Sequence, residues 1–233
     1  MRIDICIPAY NEEPIIERAV VAVRNTLAPF PDARVVVAAN GCTDETEAKA
    51  KASGAAVMRV ATRGKGAAVI AAAKESTADI FGFIDADLSA DPQDIPTLLQ
   101  PLIREECDIV IGSRLTDETT VRRAYFRTAS SRLFNALRRM LIGVHVTDSQ
   151  CGLKLMDPKG RAVLARCTET GWFFDMEFLA RAERAGLRVR ELRVHWDEHR
   201  FPERVSKLNM FRDGFGALRA MLRIQRKLQS TRL

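Results

Sequence analysis

Two aspartates one residue apart, Asp85 and Asp87, directly follow an apolar run from Ile80 to Ile84. If that run is a strand of a parallel sheet, the ligand crevice opens beyond its carboxyl end. Paired carboxylates there can hold a hard divalent cation, and such a cation can neutralise a diphosphate. An isolated Asp-x-Asp reads equally well as a helix cap with a solvated neighbour, so its surroundings decide. Pro8-Ala9-Tyr10-Asn11-Glu12-Glu13 closes an earlier apolar run with a ring and carboxylates, where a nucleoside could stack and hydrogen-bond. Asn40-Gly41-Cys42-Thr43-Asp44 closes the next run as a turn entering a helix cap. Arg63-Gly64-Lys65-Gly66 brings flexible backbone and two cations, without the GxxxxGK[ST] spacing of a phosphate-binding loop.

These segments act together only if one scaffold brings them to one edge, and the apolar periodicity predicts that scaffold. Ile3 to Ile7 and Val35 to Ala39 are short β-type runs, and between them a helix from near Pro14 carries Ile16, Val20, Val23 and Leu27 at helical spacing. The alternation predicts a helix from about Asp44, a strand at Val57 to Val60 and an alanine-rich helix after Gly66. It continues with a strand at Ile80 to Ile84, a helix over Pro96 to Glu105 and a strand at Asp108 to Ile111. The expected fold is α/β: a mostly parallel central sheet flanked by helices. Beyond Gly112, residues 113 to 123 read as a loop, Ala124 to Ile142 as a basic amphipathic helix, Phe174 to Ala185 as a helix and Val189 to Val194 as a strand. Leu208 to Leu228 reads as a final helix, with Phe211, Phe215, Leu218 and Leu222 on one face and Arg212, Arg219, Arg223 and Arg226 for the other. With no repeat or linker, residues 1–233 are expected to form a single domain.

The charge is divided unevenly. The chain of 233 residues has a net charge of +6, yet residues 1 to 112 hold 11 basic and 17 acidic side chains, and residues 113 to 233 hold 25 and 13. A basic second half predicts an anionic partner. A content of 47% hydrophobic and 28% charged residues excludes a disordered or collagen-like chain. No apolar stretch approaches the ~18 residues of a membrane-spanning helix. The opening Met1-Arg2-Ile3-Asp4 has no secretory pattern, and five cysteines without a CxxC pair fit a reducing, cytoplasmic setting.

The succession IPAYNEE, NGCTD, RGKGAA, DADLS and GSR resembles the family 2 glycosyltransferases of GT-A fold. DSQCGLKL, FFDMEFL, Trp196 and SKLNMFRD are similar to the dolichyl-phosphate and polyprenyl-phosphate branch, and the likeness runs from about Ile3 to Arg223. The resemblance implies an inverting transfer from a UDP- or GDP-sugar to a polyprenyl or dolichyl phosphate, using Mg²⁺ or Mn²⁺. It implies that residues 1–112 form the nucleotide-sugar-binding half and residues 113–233 the acceptor-binding half. By residue, it places Pro8, Tyr10 and Glu12 around the nucleoside, with Asn40 beside them, and Asp85 and Asp87 on the metal and diphosphate. Arg114, Arg127, Lys65 and Lys207 become cations for phosphates, and Asp148 the acidic residue near the reacting centre. Two departures from the pattern stand out: Ala39-Asn40 stands where many members have two acidic residues, and Ser89 where the mannosyl branch often has glutamine. A hydroxyl acceptor would need Asp148 as a base with a raised pKa, whereas a lipid phosphate arrives already ionised.

Other features carry blander expectations. His195 and His199 are four apart, but the preceding run alternates as a strand, against a zinc pair. Cys151 is expected to be a small buried residue beside a tight turn, and Phe173, Phe174 and Phe178 to be core. Asp175 and Glu177 cannot share a helix face, so one is expected to point at the site and the other to be solvated or to cap. The basic helices lack any nucleic-acid-reading motif, and their mixed faces predict peripheral attachment to an anionic membrane surface. A non-lipid hydroxyl acceptor and a non-catalytic nucleotide-sugar-binding subunit are the alternatives, and association with a membrane protein or a second copy is left open.

Overall fold

The structure, a computed structural model, describes residues 1–114, 138–197, 200–201 and 210–230. Its centre is a seven-stranded sheet of order β3-β2-β1-β4-β6-β5-β7. The strands are β1 (Ile3–Ala9), β2 (Ala33–Ala39), β3 (Ala56–Arg59), β4 (Ile80–Phe83), β5 (Ile109–Ser113), β6 (Lys154–Met156) and β7 (Val189–Arg193). All pairings are parallel except those of β6, which runs antiparallel to both β4 and β5. Helices α1 (Ile16–Leu27), α2 (Thr46–Ala52), α3 (Lys65–Glu75), α4 (Ile95–Ile103), α5 (Pro158–Ala165), α6 (Phe174–Arg184) and α7 (Met210–Ser230) accompany it.

Strand alternation divides the core in two. Ile3, Ile5 and Ile7 of β1 pack with the buried stripe of α1, Ile16, Val20 and Val23, and with Leu98 and Leu99 of α4. Cys6 faces the other side, with Phe81 and Phe83 of β4, Ala68 and Ala72 of α3, and Phe174 and Phe178 of α6. This is the period-two pattern of a sheet buried on both faces. Phe174 and Phe178 are therefore core as expected, while Phe173 is partly buried.

Several expectations are corrected. β6 and α5 were not foreseen: β6 is three residues long, too short for a periodic signal, and is buried throughout. α2 starts at Thr46 because the Asp44 carboxylate first accepts from the Thr46 N–H at 3.1 Å, forming a turn ahead of the helix. On α7 the side chains of Phe211, Arg212, Phe215 and Leu218 lie outside the described ones; among those described, Ala220, Met221, Ile224 and Leu228 are buried, whereas Leu222 is 41% exposed and does not belong to the buried face. Of the basic helix at Ala124 to Ile142, only residues 138–142 are described, and they are helical. No described helix is long and apolar enough to cross a membrane.

Candidate active site

The carboxyl ends of β1, β2, β4 and β5 deliver the predicted segments to one edge. At the end of β1, Tyr10 is 38% exposed, and the Arg63 guanidinium lies over its ring at 5.5 Å. Asn11 adopts a left-handed backbone, φ 49°, and its side-chain oxygen accepts from the Thr43 N–H at 2.8 Å, joining the ends of β1 and β2. Pro8 is half-buried on β1, and Glu12 is buried with its N–H donating to Thr46 Oγ1 at 2.9 Å. Asn40 is buried and committed at both ends: Oδ1 accepts from the Gly64 N–H at 2.6 Å, and Nδ2 donates to the Thr62 carbonyl. Its side chain thus shapes the loop entering α3.

Asp85 and Asp87 follow β4, and Lys65 at the start of α3 reaches them. Lys65 Nζ lies 2.6 Å from Asp85 Oδ1, 4.8 Å from the centre of the Trp172 ring and 5.9 Å from that of Phe174. Burial raises the Asp85 pKa, with the charges of Asp87 and Asp175 adding to it and Lys65 opposing. Burial pushes Lys65 down, but Asp85 and Asp175 outweigh it and hold the ammonium above its usual value. Asp85 is thus paired with the Lys65 ammonium, and Asp175 with the Lys154 ammonium at 2.8 Å. Asp85 also rests directly on backbone, since a Cβ on Gly152 would lie 2.1 Å from its Oδ2.

This donor set fits a hard divalent cation. Among the described residues no group of three or more His, Cys, Asp or Glu side chains could hold a metal. A cation bound at Asp85 and Asp87 would take two carboxylates from the chain, and Mg²⁺ commonly completes such a shell with water and phosphate oxygens. Oxygen-only ligation does not suit zinc as a histidine pair would. His195 is instead engaged with Asp94, Nδ1 to Oδ1 at 2.9 Å, and His199 lies outside the described residues.

At the end of β5, Arg114 grips Asp148. Nε and Nη2 approach the two carboxylate oxygens at 2.7 Å each, and the Arg114 backbone N–H donates to Oδ2 at 3.0 Å. Asp148 is buried. Burial would raise its pKa, yet the hydrogen bonds and charge of Arg114 prevail and lower it. The raised pKa that a hydroxyl acceptor would require is therefore not what this carboxylate has. Glu191 of β7 accepts from the Thr147 and Asp148 N–H groups at 2.7 and 2.8 Å, and the Arg114 guanidinium stacks on Trp196 at 4.6 Å.

Asp175 and Glu177 are both buried and α6 has no side-chain cap, which corrects the expectation that one of them would be solvated or would cap the helix. Asp175 pairs with Lys154 of β6 at 2.8 Å. Glu177 accepts from the Thr168 and Glu169 N–H groups at 2.9 and 2.6 Å and pairs with Arg181 at 2.8 Å. Cys151 is buried with its thiol pushed up to about 11 by burial, as a packing residue requires. Arg127 and Lys207 lie outside the described residues. Lys154, Trp172 and Glu191 escaped the sequence reading, although Lys154 and Trp172 stand in or beside the motifs DSQCGLKL and FFDMEFL.

Comparison with known proteins agrees with this arrangement. Residues 4–160 match the model of glycosyl transferase family 2. Glycosyltransferase AglD of Haloferax volcanii is 32% identical over 233 residues, covering 96% of this chain, which spans only 37% of that protein. A dolichyl-phosphate beta-glucosyltransferase of Drosophila melanogaster is 30% identical, with 85% of this chain and 68% of that protein covered. Among solved structures, glucosyl-3-phosphoglycerate synthase of Mycobacterium tuberculosis with Mn²⁺, UDP-glucose and phosphoglyceric acid superposes with a TM-score of 0.70 at 25% identity, covering 96% of this chain and 79% of that one. The same enzyme with Mg²⁺ and UDP gives a TM-score of 0.67 at 26% identity, covering 95% and 79%. A mostly parallel sheet carrying an Asp-x-Asp pair at its edge, in the GT-A architecture of those structures, makes this chain a member of glycosyl transferase family 2.

Proposed function

We propose that this chain moves a sugar, with inversion, from a UDP- or GDP-sugar to a polyprenyl or dolichyl phosphate. The observation that carries the acceptor class is the Arg114–Asp148 pair: a carboxylate held ionised by a bidentate arginine is a poor general base, and a phosphate acceptor needs none. The names of relatives that act on dolichyl phosphate support the same class.

In this reading Tyr10 and Arg63 receive the nucleobase beside Pro8 and Glu12, and Asp85 and Asp87 would hold Mg²⁺ or Mn²⁺. When bound, that ion supplies charge neutralisation for the departing diphosphate. Lys65 and Arg114 add fixed positive charge on either side, in a partly dry site where such charges are worth more than in water. The acceptor phosphate oxygen attacks the anomeric carbon from the face opposite the diphosphate. The new C–O bond forms as the old one breaks, the electron pair leaves with the nucleoside diphosphate, and no proton is removed. Asp148 orients Arg114. Residues 1–112 serve the donor and residues 113–233 the acceptor, with the basic second half attaching the chain peripherally to an anionic, cytoplasm-facing membrane surface.

The test incubates the protein with Mn²⁺, a panel of UDP- and GDP-sugars and either a polyprenyl phosphate or 3-phosphoglycerate, then analyses products by mass spectrometry. A glycosylated lipid is expected. Transfer to 3-phosphoglycerate alone would replace this reading with that of a hydroxyl-directed enzyme, the acceptor chemistry for which the superposed glucosyl-3-phosphoglycerate synthase is named.

A further inference from the structure

Two sequence motifs distant in the chain meet behind Asp85. Lys154 begins β6, where its backbone pairs with Phe83 on one side and Ile111 on the other. Its side chain is fully buried, and Nζ lies 2.8 Å from Oδ1 of Asp175, itself buried in the first turn of α6. The same ammonium donates to the Cys151 carbonyl at 2.6 Å. A buried ion pair is a weak source of stability, because desolvation offsets attraction, so its placement calls for another reason.

The reason lies one residue beyond Cys151. The Gly152 backbone supports the Asp85 carboxylate so closely that a Cβ there would stand 2.1 Å from Oδ2 and 2.5 Å from the carboxyl carbon. The Lys154 ammonium donates to the Cys151 carbonyl while its charge faces the Asp175 carboxylate at 2.8 Å, a combination that no apolar side chain could supply. The pair also brings no net charge to the site.

We propose that the buried Lys154–Asp175 pair is a positioning device: it clamps the Cys151–Gly152 backbone so that Asp85 is held ready, with Asp87, to receive a divalent cation. This inference rests on reading Asp85 and Asp87 as cation ligands. Lys154 and Asp175 do not touch the cation themselves, and their influence passes through the turn between them and Asp85.

Mn²⁺ binding, followed through the electron paramagnetic resonance signal of the free ion with and without UDP, tests the proposal. The proteins compared are the wild type, Asp87→Asn, Gly152→Ala and Lys154→Met/Asp175→Leu, each checked for fold by circular dichroism. The double variant removes both charges and leaves the net charge unchanged. Gly152→Ala and the double variant are expected to fold and to bind Mn²⁺ about ten- to a hundredfold more weakly, as when supports behind metal ligands are lost. Either variant, folded and binding within about twofold of the wild type, overturns the proposal. If the double variant does not fold, Asp175→Asn, which preserves side-chain shape, is judged by the same criterion. A wild type that binds no Mn²⁺ overturns the cation reading itself, and the inference with it. Binding lost in Asp87→Asn but kept in the double variant sinks the positioning role alone.

Discussion

Arg114 and Asp148, 34 residues apart, are joined by three hydrogen bonds: two from the guanidinium at 2.7 Å and one from the arginine backbone at 3.0 Å. The pair locks the end of β5 to the turn before β6, and it fixes the ionisation of Asp148 below the ordinary carboxylate range. Asp148→Asn retains the shape but weakens the grip on Arg114. A fall in kcat/KM of about 10- to 100-fold is expected, matching the loss of a charge-assisted hydrogen bond. The pH profile above about pH 6 is expected to keep its form, since no base is lost. A variant that gained a new ionisation near neutrality, or lost all turnover while folded, would assign Asp148 to proton transfer.

Tyr10 offers an exposed ring already faced by Arg63. Tyr10→Ala is expected to weaken UDP binding by about 10- to 100-fold and Tyr10→Phe to leave it nearly unchanged, because stacking depends on the ring and not on the hydroxyl. Isothermal titration calorimetry in the presence of Mn²⁺ checks both.

Asp108 is buried at the start of β5, and hydrogen bonds from the Arg188 guanidinium and backbone lower its pKa to about 2. The folded state therefore binds fewer protons at this carboxyl than the unfolded chain. Its stabilising contribution is complete above the unfolded pKa, near 3.8, and is lost as pH falls toward 2. Thermal melts are expected to show a smaller drop in Tm between pH 5 and pH 2.5 for Asp108→Asn than for the wild type. An equal drop would place the acid sensitivity elsewhere.

Gly64 precedes α3 with φ 130°, and a Cβ there would approach the Thr170 carbonyl oxygen to 2.1 Å. Gly64→Ala therefore combines left-handed strain with a backbone clash. A destabilisation of about 2–4 kcal/mol is expected from chemical denaturation. Because the Gly64 N–H also anchors Asn40, nucleotide affinity is expected to fall with it.

On α7, Arg219, Leu222 and Arg226 are exposed while Met221 and Ile224 are buried against the body. Flotation with vesicles containing anionic lipid is expected to carry the protein upward, and Arg219→Glu/Arg226→Glu to reduce that fraction severalfold. Equal flotation of the variant would remove these arginines from the membrane-facing surface.

The sheet was legible in the sequence because β1, β2, β4 and β5 are continuous apolar runs whose ends coincide with turn and polar residues. β6 was not, because three residues carry no periodicity and its lysine looks like a surface residue until Asp175 is seen beside it. The placement of Asp85 and Asp87 just beyond β4 was readable from the apolar run that precedes them. The roles of Gly152, Glu191 and Trp172 were not, since each depends on a neighbour far away in the chain: Asp85, the 147–148 backbone and Lys65. The two-residue spacing of Asp175 and Glu177 correctly separated their faces, but α6 is covered on both, so both found buried partners. On α7, Arg223 is exposed as the sequence suggests, and it also reaches Glu169 at 2.7 Å, a partner 54 residues away.

The antiparallel insertion of β6 between β4 and β5 also determines how this molecule can be recombined with others of its kind. A chimaera joined at residue 112 would take β6, the strand between β4 and β5, from a foreign chain, together with Gly152 under Asp85. A junction after Asp157 would keep that strand with its own neighbours, and the contacts to be matched across the seam would include the β5–β7 border, Lys154–Asp175, Asp108–Arg188, Glu191 on the 147–148 backbone and Trp172 over Lys65. Keeping β6 between its own neighbours therefore favours a junction after β6 over one at the point where the charge changes sign.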